Sequence, residues 1–495
     1  MSKRRFYVTT AIPYVNGDPH LGFALELVQA DVLARHRRLR GEDVRFLSGT
    51  DDNSLKNVEA ADAAGLPVHE YVREKAQRFA ALRGVLSLSY DDFIRTSVDP
   101  RHAPGVERLW RACAAAGDLY ERDYEGLYCT GCEAFLAPGE LVDGLCPEHG
   151  EPPERVAERN WFFRLSRYHE ELLARIEDGR LRITPEHRRN EVLSFVRGGL
   201  ADFSVSRSRD RARGWGIPVP GDPTQVVYVW FDALGNYVTA LDYGSGGPRY
   251  RTWWEGADER VHVIGKGIIR FHAVYWPAIL LSAGEPLPTA IAVHDYLTVD
   301  GRRLSKSAGG SVDPATLAAR YGADALRWWF VRDVPRSGDV DFREDLLAAR
   351  ANELADGLGN LVNRTIALVR RLRPDGLSPA TPPVEAAALV SALARVSGAI
   401  DEALGDADYR AAADALWDVV TEANRFVSST RPWEDLANGD RLDGILTVLL
   451  EACHRIAHEL HPFLPDAAAR IEVALDRRDP ELGRTLFRKA SATTA

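Results

Sequence analysis

Residues 5–54 run strand, helix, strand, and that order constrains the chain more than any other feature. "RFYVTT" at 5–10 is a β-branched and aromatic run, followed by a turn rich in Pro, Gly and Asn. A helical period holds from Leu21 to Leu39, and "DVRFLSGTDDNS" at 43–54 is a second strand running into an acidic turn. Two strands joined through a helix make a βαβ unit, hence part of a parallel sheet. The alternation resumes at "QVVYVWFDALGNYVTAL" and "RVHVIGKGIIRFHAVYWPAILLSAG", after shorter pieces between about 119 and 225 that end on "GWGIPVPGDP". Ligands of such sheets bind outside the carboxyl ends of the strands. The turns after Thr10, Gly49, Trp230 and Gly265 are therefore expected to face one crevice.

The predicted fold is α/β: a Rossmann-like parallel sheet split by an insertion, then an α-helical bundle. From about 345 the segments are long, Ala- and Leu-rich and helically periodic, broken mainly at "RPDGLSPATPPVE". With 495 residues, two to four domains are expected. The predicted divisions are 1–118 and 226–298 for the two halves of the sheet domain, 119–225 for the insertion, 299–345 for a connecting region and 346–495 for the bundle.

A net charge of −10 gives no global sign of nucleic-acid binding, although binding depends on local patches. The basic runs "RHRRLR" (35–40) and "RSRDRAR" (207–213) read, taken alone, as solvated faces. No apolar region follows the charged start, and no apolar run approaches the roughly 18 residues of a membrane span. A cytoplasmic protein is expected. Met1 is the only methionine of the chain.

Three of the five cysteines fall within 18 residues. In "YCTGCEAFLAPGELVDGLCPEHG", Cys129 and Cys132 form one close pair, and Cys146 and His149 form another. Both pairs stand beside glycines, and two such pairs can complete a tetrahedron around a soft divalent ion. Four protein ligands leave no open position, so the ion would be a structural zinc; the alternative is reduced cysteines near an incidental histidine.

"DGRRLSKSAGGSVDP" at 300–314 joins Arg302, Arg303, Ser305, Lys306 and Ser307 to a glycine pair. Its cations could hold a triphosphate and neutralise charge that grows as pyrophosphate departs. Alone it reads as an exposed basic turn. His20 opens a helix whose backbone N–H groups favour anions, and Gly22 would let a nucleotide approach closely.

Together these residues resemble the class I aminoacyl-tRNA synthetases. "PHLGF" is similar to their HIGH signature and "RLSKS" to their KMSKS loop. "TTAIPYVNGDPHLG", "FLSGTD", "EGLYCTGC", "LCPEHG", "WGIPVP", "HVIGK" and "GNLVNR" narrow the resemblance to the methionyl-tRNA synthetase family of the single-knuckle type. The resemblance implies ATP-dependent activation of L-methionine, departure of magnesium-bound pyrophosphate and transfer to the 3′ end of tRNA(Met). It implies a zinc-bearing connective insertion, a stem-contact region after the KMSKS-like loop and an anticodon-binding bundle.

By motif position, His20 and Lys306 are catalytic, and ATP is held by His20, Gly22, Phe23, Gly265, Gly267, Arg303, Ser305, Lys306 and Ser307. Asp51 takes the substrate ammonium, while Ile12, Tyr14, Trp230, Ala233, Leu234, Tyr237, Ile268, Phe271 and His272 surround its side chain. The resemblance also implies that Asn360, Arg364 and Trp433 would read the anticodon. The chain ends without the extra domain that dimerises some relatives, so a monomer is expected.

Three stretches depart from the family pattern. Phe23 replaces the second histidine of HIGH, "DNS" (Asp52 to Ser54) replaces Glu-His-Gly, and Gly267 replaces an acid that would face the ribose. They leave two alternatives to an active methionine enzyme: a paralogue with another amino acid or a biosynthetic role, or a tRNA-binding protein with impaired catalysis.

Overall fold

The computed structural model describes residues 3–129, 134–136, 138–147, 150–299, 301–303, 312–434 and 439–490. The chain forms two compact units: Met1–Pro19, Glu42–Ala81 and Tyr90–His294 make the first, and His20–Gly41, Leu82–Ser89 and Asp295–Ala495 the second.

The first unit is built on a six-stranded sheet of β1 (Arg5–Thr10), β2 (Asp43–Thr50), β3 (Asp92–Arg95), β7 (Arg182–Thr184), β12 (Glu259–Gly265) and β13 (Ala290–His294). Its order is β3-β2-β1-β12-β13-β7 and every pairing is parallel. β1 is buried at five of its six residues, as a central parallel strand covered on both faces must be. The order reverses between β1 and β12, and a crevice opens at such a switch point. The turns after Thr10, Gly49 and Gly265 lie at the carboxyl ends of these neighbouring strands, as expected. Gly49 is required there: a Cβ would stand 2.3 Å from the Ile94 carbonyl oxygen and 3.1 Å from Ile12 Cγ2.

The expected turn after Trp230 is different. β11 (Asp222–Val227) pairs antiparallel with β9 (Ser206–Ser208) and β10 (Pro218–Val219), outside the parallel sheet. Trp230 stands in the first turn of a helix, not at the end of a sheet strand. A further antiparallel sheet joins β4 (Leu119–Cys129), β5 (Ala134–Leu136), β6 (Glu154–Phe163) and β8 (Phe203–Ser204). The stretch 119–225 is also more than an insertion, because β7 within it is the edge strand of the parallel sheet.

Seven helices matter to the argument: α1 (Leu21–Leu39), α2 (Leu55–Ala63), α3 (Val68–Val85), α4 (His102–Ala115), α5 (His169–Glu177), α6 (Glu186–Arg197) and α7 (Val229–Thr239). α4 and α7 pack so closely that a Cβ on Gly105 would meet Thr239 Cγ2 at 2.4 Å. The second unit takes in α1, which the sequence division at 118 had placed with the sheet domain. Its remaining helices include Ala323–Arg332, Asn360–Leu372, Ala387–Gly405, Tyr409–Thr430 and Gly439–Leu460. In Ala387–Gly405 the buried residues Leu389, Leu393, Val396, Ile400 and Leu404 recur every three or four positions, giving the expected bundle face. α1 is fixed in this unit by a buried ion pair of Asp31 with Arg327 at 2.8 Å. Among the described residues no helix is long and apolar enough to cross a membrane.

Candidate active site

The crevice end of the first unit begins at Asp51, the residue after β2. The loop that leaves β1 continues the pairing for one more step, as Tyr14 bridges to Asp51 and the Asp51 N–H donates to the Pro13 carbonyl at 3.0 Å. The Asp51 side chain is buried, and its Oδ1 accepts from the Asn53 N–H at 3.1 Å. Asn57 donates to the Asp51 carbonyl at 2.9 Å, which anchors the turn.

Beside it lies an aromatic slot. Trp230 stacks on Phe271 with ring centroids 3.8 Å apart and planes 6° off parallel, and the Tyr14 ring stands edge-on to Trp230 at 6.4 Å. α7 supplies Trp230, Ala233, Leu234 and Tyr237 from successive turns, because these four are spaced at i, i+3, i+4 and i+7. Ile12, Ile268 and Phe271 pack against the same core. The residues expected to surround the side chain are thus gathered in one unit.

The polar floor of the slot is uncharged. His272 Nδ1 meets the Ile268 carbonyl at 2.9 Å, and a carbonyl only accepts, so Nδ1 carries the proton. Nε2 therefore accepts from the Tyr237 hydroxyl at 2.7 Å. Burial holds the His272 pKa down at about 4. Behind it, His262 accepts from the Trp276 indole at 3.2 Å and meets the Thr9 hydroxyl at 2.7 Å. Burial, with His272 and Arg260 nearby, pushes the His262 pKa well below its ordinary value. Two neutral imidazoles and a phenol give an apolar slot polar atoms without charge.

The three departures in "DNS" each have a partner. Asp52 is buried and accepts from Arg95 at 2.8 Å, Ser97 at 2.7 Å and Thr50 at 2.8 Å; burial pushes its carboxyl up against these donors. Asn53 donates to Asp232 at 2.8 Å, and Ser54 caps α2 by accepting from the Lys56 N–H at 3.1 Å.

The residues expected to hold ATP occur in both units. His20, Gly22 and Phe23 belong to the second, while Gly265 and Gly267 belong to the first, with Gly267 exposed in the turn Lys266–Ile268. His20 caps α1, its Nδ1 accepting from the Gly22 N–H at 3.1 Å. Its proton then sits on Nε2, where an anion needs a donor. A Cβ on Gly22 would come within 3.0 Å of the His20 ring, so this glycine keeps the capping imidazole in place as well as giving access. Ser305, Lys306 and Ser307 lie outside the described residues, as does the Arg303 side chain.

In the second unit the Arg364 guanidinium stands over the Trp433 ring at 5.9 Å, and Asn360 is exposed one turn before Arg364. The predicted trio is thus partly assembled. Cys129 and Cys146 are buried, and neither is in a disulfide. Cys146 sits on a tight turn, its N–H donating to the Glu151 carbonyl at 2.9 Å and its carbonyl accepting from Gly150 at 2.8 Å. Cys132 and His149 lie outside the described residues.

Residues 6–155 and 138–366 match the family described as tRNA synthetases class I (M). A methionine–tRNA ligase of Rhizobium meliloti is 40% identical over 96% of this chain and 93% of its own length. One of Mycobacterium bovis is 41% identical, over 94% and 91%. The structure of Mycobacterium tuberculosis methionyl-tRNA synthetase in complex with methionyl-adenylate superposes with a TM-score of 0.88 at 39% identity, covering 95% of this chain and 93% of the other. The chain belongs to the methionyl-tRNA synthetase family. Its activity is that of an aminoacyl-tRNA ligase, and the resemblance read from its motifs holds over most of its length.

Against that family background, the sequence reading missed Asp232, His102 and Arg95. Asp232 had a legible signal, as an acid within the apolar stretch "VWFDALGNYV". His102 and Arg95 had none.

Proposed function

We propose that this chain activates L-methionine with ATP in the crevice of the first unit and passes it to the 3′ end of tRNA(Met). Asp51 takes the ammonium, and the slot of Trp230, Phe271, Tyr14, Leu234 and Ile12 takes the thioether. A polarizable sulfur gains about 0.3–1.5 kcal/mol from each aromatic edge it touches. The neutral Tyr237–His272 pair carries this reading: it offers polar contact without charge, so it does not attract a lysine or aspartate side chain. The substrate carboxylate attacks the α-phosphate, and pyrophosphate leaves with its Mg2+. His20 donates from Nε2 to phosphate oxygens, and Lys306 with Arg303 offsets the charge that develops on the leaving group. Ser305, Ser307, Gly22, Gly265 and Gly267 bring backbone and hydroxyl groups to the nucleotide.

Two buried thiols outside any disulfide, Cys129 at the end of β4 and Cys146 on a tight turn, fit a structural zinc site completed by Cys132 and His149. Such an ion stabilises the connective region and does no chemistry there. Metal analysis should find one zinc per chain, lost when Cys129 and Cys146 are replaced. Asn360, Arg364 and Trp433 supply planar donors and a stacking ring for unstacked anticodon bases.

The deciding test is amino-acid-dependent ATP–pyrophosphate exchange over all twenty amino acids. Exchange with methionine alone is expected. Exchange with another amino acid would make the chain a repurposed paralogue. Retained tRNA binding with no exchange would make it a binding protein.

A further inference from the structure

The two ends of the amino-acid pocket come from different parts of the chain: the ammonium carboxylate follows β2, and much of the side-chain slot rides on α7. One residue joins them. Asn53 holds Asp51 Oδ1 through its backbone N–H at 3.1 Å and donates from Nδ2 to Asp232 Oδ2 at 2.8 Å. Asp232 stands in the first turn of α7, where a helix N-terminus favours an anion. Its other oxygen bonds His102 Nε2, and His102 Nδ1 meets the hydroxyl of Thr239, the last residue of α7, at 2.8 Å. His102, on α4, thus grips α7 at both ends. His102, Asp232 and Thr239 are all fully buried. The bonding closes without an orphan when Asn53 and His102 donate to an ionised Asp232 and the Thr239 hydroxyl donates to a neutral imidazole.

We propose that Asn53, Asp232 and His102 are positioning residues that set the span between the ammonium anchor and the side-chain slot, and so the length of amino acid accepted. This rests on the pocket reading given under Proposed function. It also accounts for asparagine where the family pattern has histidine. Asn Nδ2 and His Nδ1 both stand two bonds beyond Cβ, so either residue presents a donor at the same place.

The test compares Asn53→Ala, Asn53→His and the parent in pyrophosphate exchange. Asn53→Ala should raise the KM for methionine about tenfold, leave the KM for ATP within twofold, and lower discrimination against ethionine and norleucine at least fivefold. Asn53→His should stay within twofold of the parent in all three. A methionine KM and discrimination unchanged in Asn53→Ala would overturn the proposal, as would equal rises in both KM values. Asn53 is partly exposed, so Asn53→Ala should fold; Tm is measured alongside, and a lower Tm with unmoved discrimination also counts against the proposal. Absence of methionine exchange in the parent would instead overturn the pocket reading.

A separate observation carries a second inference. After Met1 the chain has no methionine, although its cores bury many leucines. Leucine and methionine exchange in cores at under about 1.5 kcal/mol, so packing gives no reason for the exclusion. We infer that the composition spares the enzyme its own product: each chain consumes one charged methionyl-tRNA, at initiation. A synthetase whose synthesis needs much of its product recovers slowly once that product is depleted. The test uses bacteria whose only methionyl-tRNA synthetase is this chain, or a variant with Leu172, Leu193, Leu446 and Leu475 changed to Met and kinetics verified as unchanged. After methionine starvation the variant should show at least twice the growth lag. Equal lags would overturn the inference.

Discussion

His272 gives the most direct check on the pocket's electrostatics. Its ring is fully used, donating to Ile268 and accepting from Tyr237, and burial holds its pKa at about 4, against an ordinary value of 6.5. The unfolded chain takes up a proton at this residue below about pH 6.5, whereas the folded chain resists until about pH 4. A depressed folded-state pKa contributes stability that is present in full above the unfolded value and is lost as pH falls toward the folded one. At about 1.4 kcal/mol per pH unit, the loss from this residue is about 3 kcal/mol between pH 6.5 and 4. His272→Gln removes the titration while keeping one donor for Ile268 and one acceptor for Tyr237. Urea unfolding followed by tryptophan fluorescence, from pH 4 to 8 at fixed ionic strength, gives the stability of both proteins. Their difference should shrink by about 1.4 kcal/mol per unit below pH 6.5 and be flat above it. His262 is present in both, and burial, the largest cause of its depressed pKa, stays in the variant. A difference independent of pH throughout would refute the reasoning, because it would mean that His272 titrates alike in the folded and unfolded chains.

Other outcomes follow from the second unit and the crevice rim. Arg327→Met removes the donor to the carbonyls of Phe463, Pro462 and Leu86 and leaves Asp31 without its buried partner, so stability should fall by about 3–5 kcal/mol in urea unfolding. Adding Asp31→Asn should restore part of that loss, since the buried carboxylate that Arg327 had balanced, then left to Arg35 and Ser89 alone, goes with it. Trp433→Ala should weaken tRNA binding about 10- to 100-fold at fixed salt, the worth of one stacked base, while pyrophosphate exchange without tRNA is unchanged. Gly267→Asp supplies the carboxylate absent from the rim. At about 1.5–3 kcal/mol for a charged hydrogen bond, it should lower the KM for ATP tenfold or more, and no change in KM would show that the ribose is held elsewhere.

The local half of the fold was legible in the sequence. β1, α1 and the start of β2 lie where the apolar periods placed them, because a period of two or 3.6 is set by neighbours in the chain. The nonlocal half was not. Arg182–Thr184 reads as a fragment of an insertion, and only its pairing with β13 makes it the edge of the parallel sheet. The run Asp222–Val227 looks like a sheet strand and pairs antiparallel elsewhere, since alternation records burial and not the partner. The site divided in the same way. Tyr237, Trp230 and Leu234 share a face that helical spacing displays, whereas His102 is tied to Asp232 across 130 residues of chain and leaves no periodic trace.

The departures from the family pattern are therefore not of one kind. A motif letter records a side chain, but the chemistry needs only an atom of the right character in the right place. Asn53 keeps a donor two bonds beyond Cβ, Asp52 keeps a carboxylate within reach of Arg95, and Ser54 exchanges glycine's freedom for a helix cap. Each of the three is tied by a hydrogen bond into or beside the turn that carries Asp51, although its letter has changed. Gly267 has no side chain with which to compensate, and the Phe23 side chain has no hydrogen-bonding atom. Under the proposed function, the altered letters without a substitute bond are those expected at the nucleotide, so amino-acid specificity and ATP affinity should prove separable in the exchange assay.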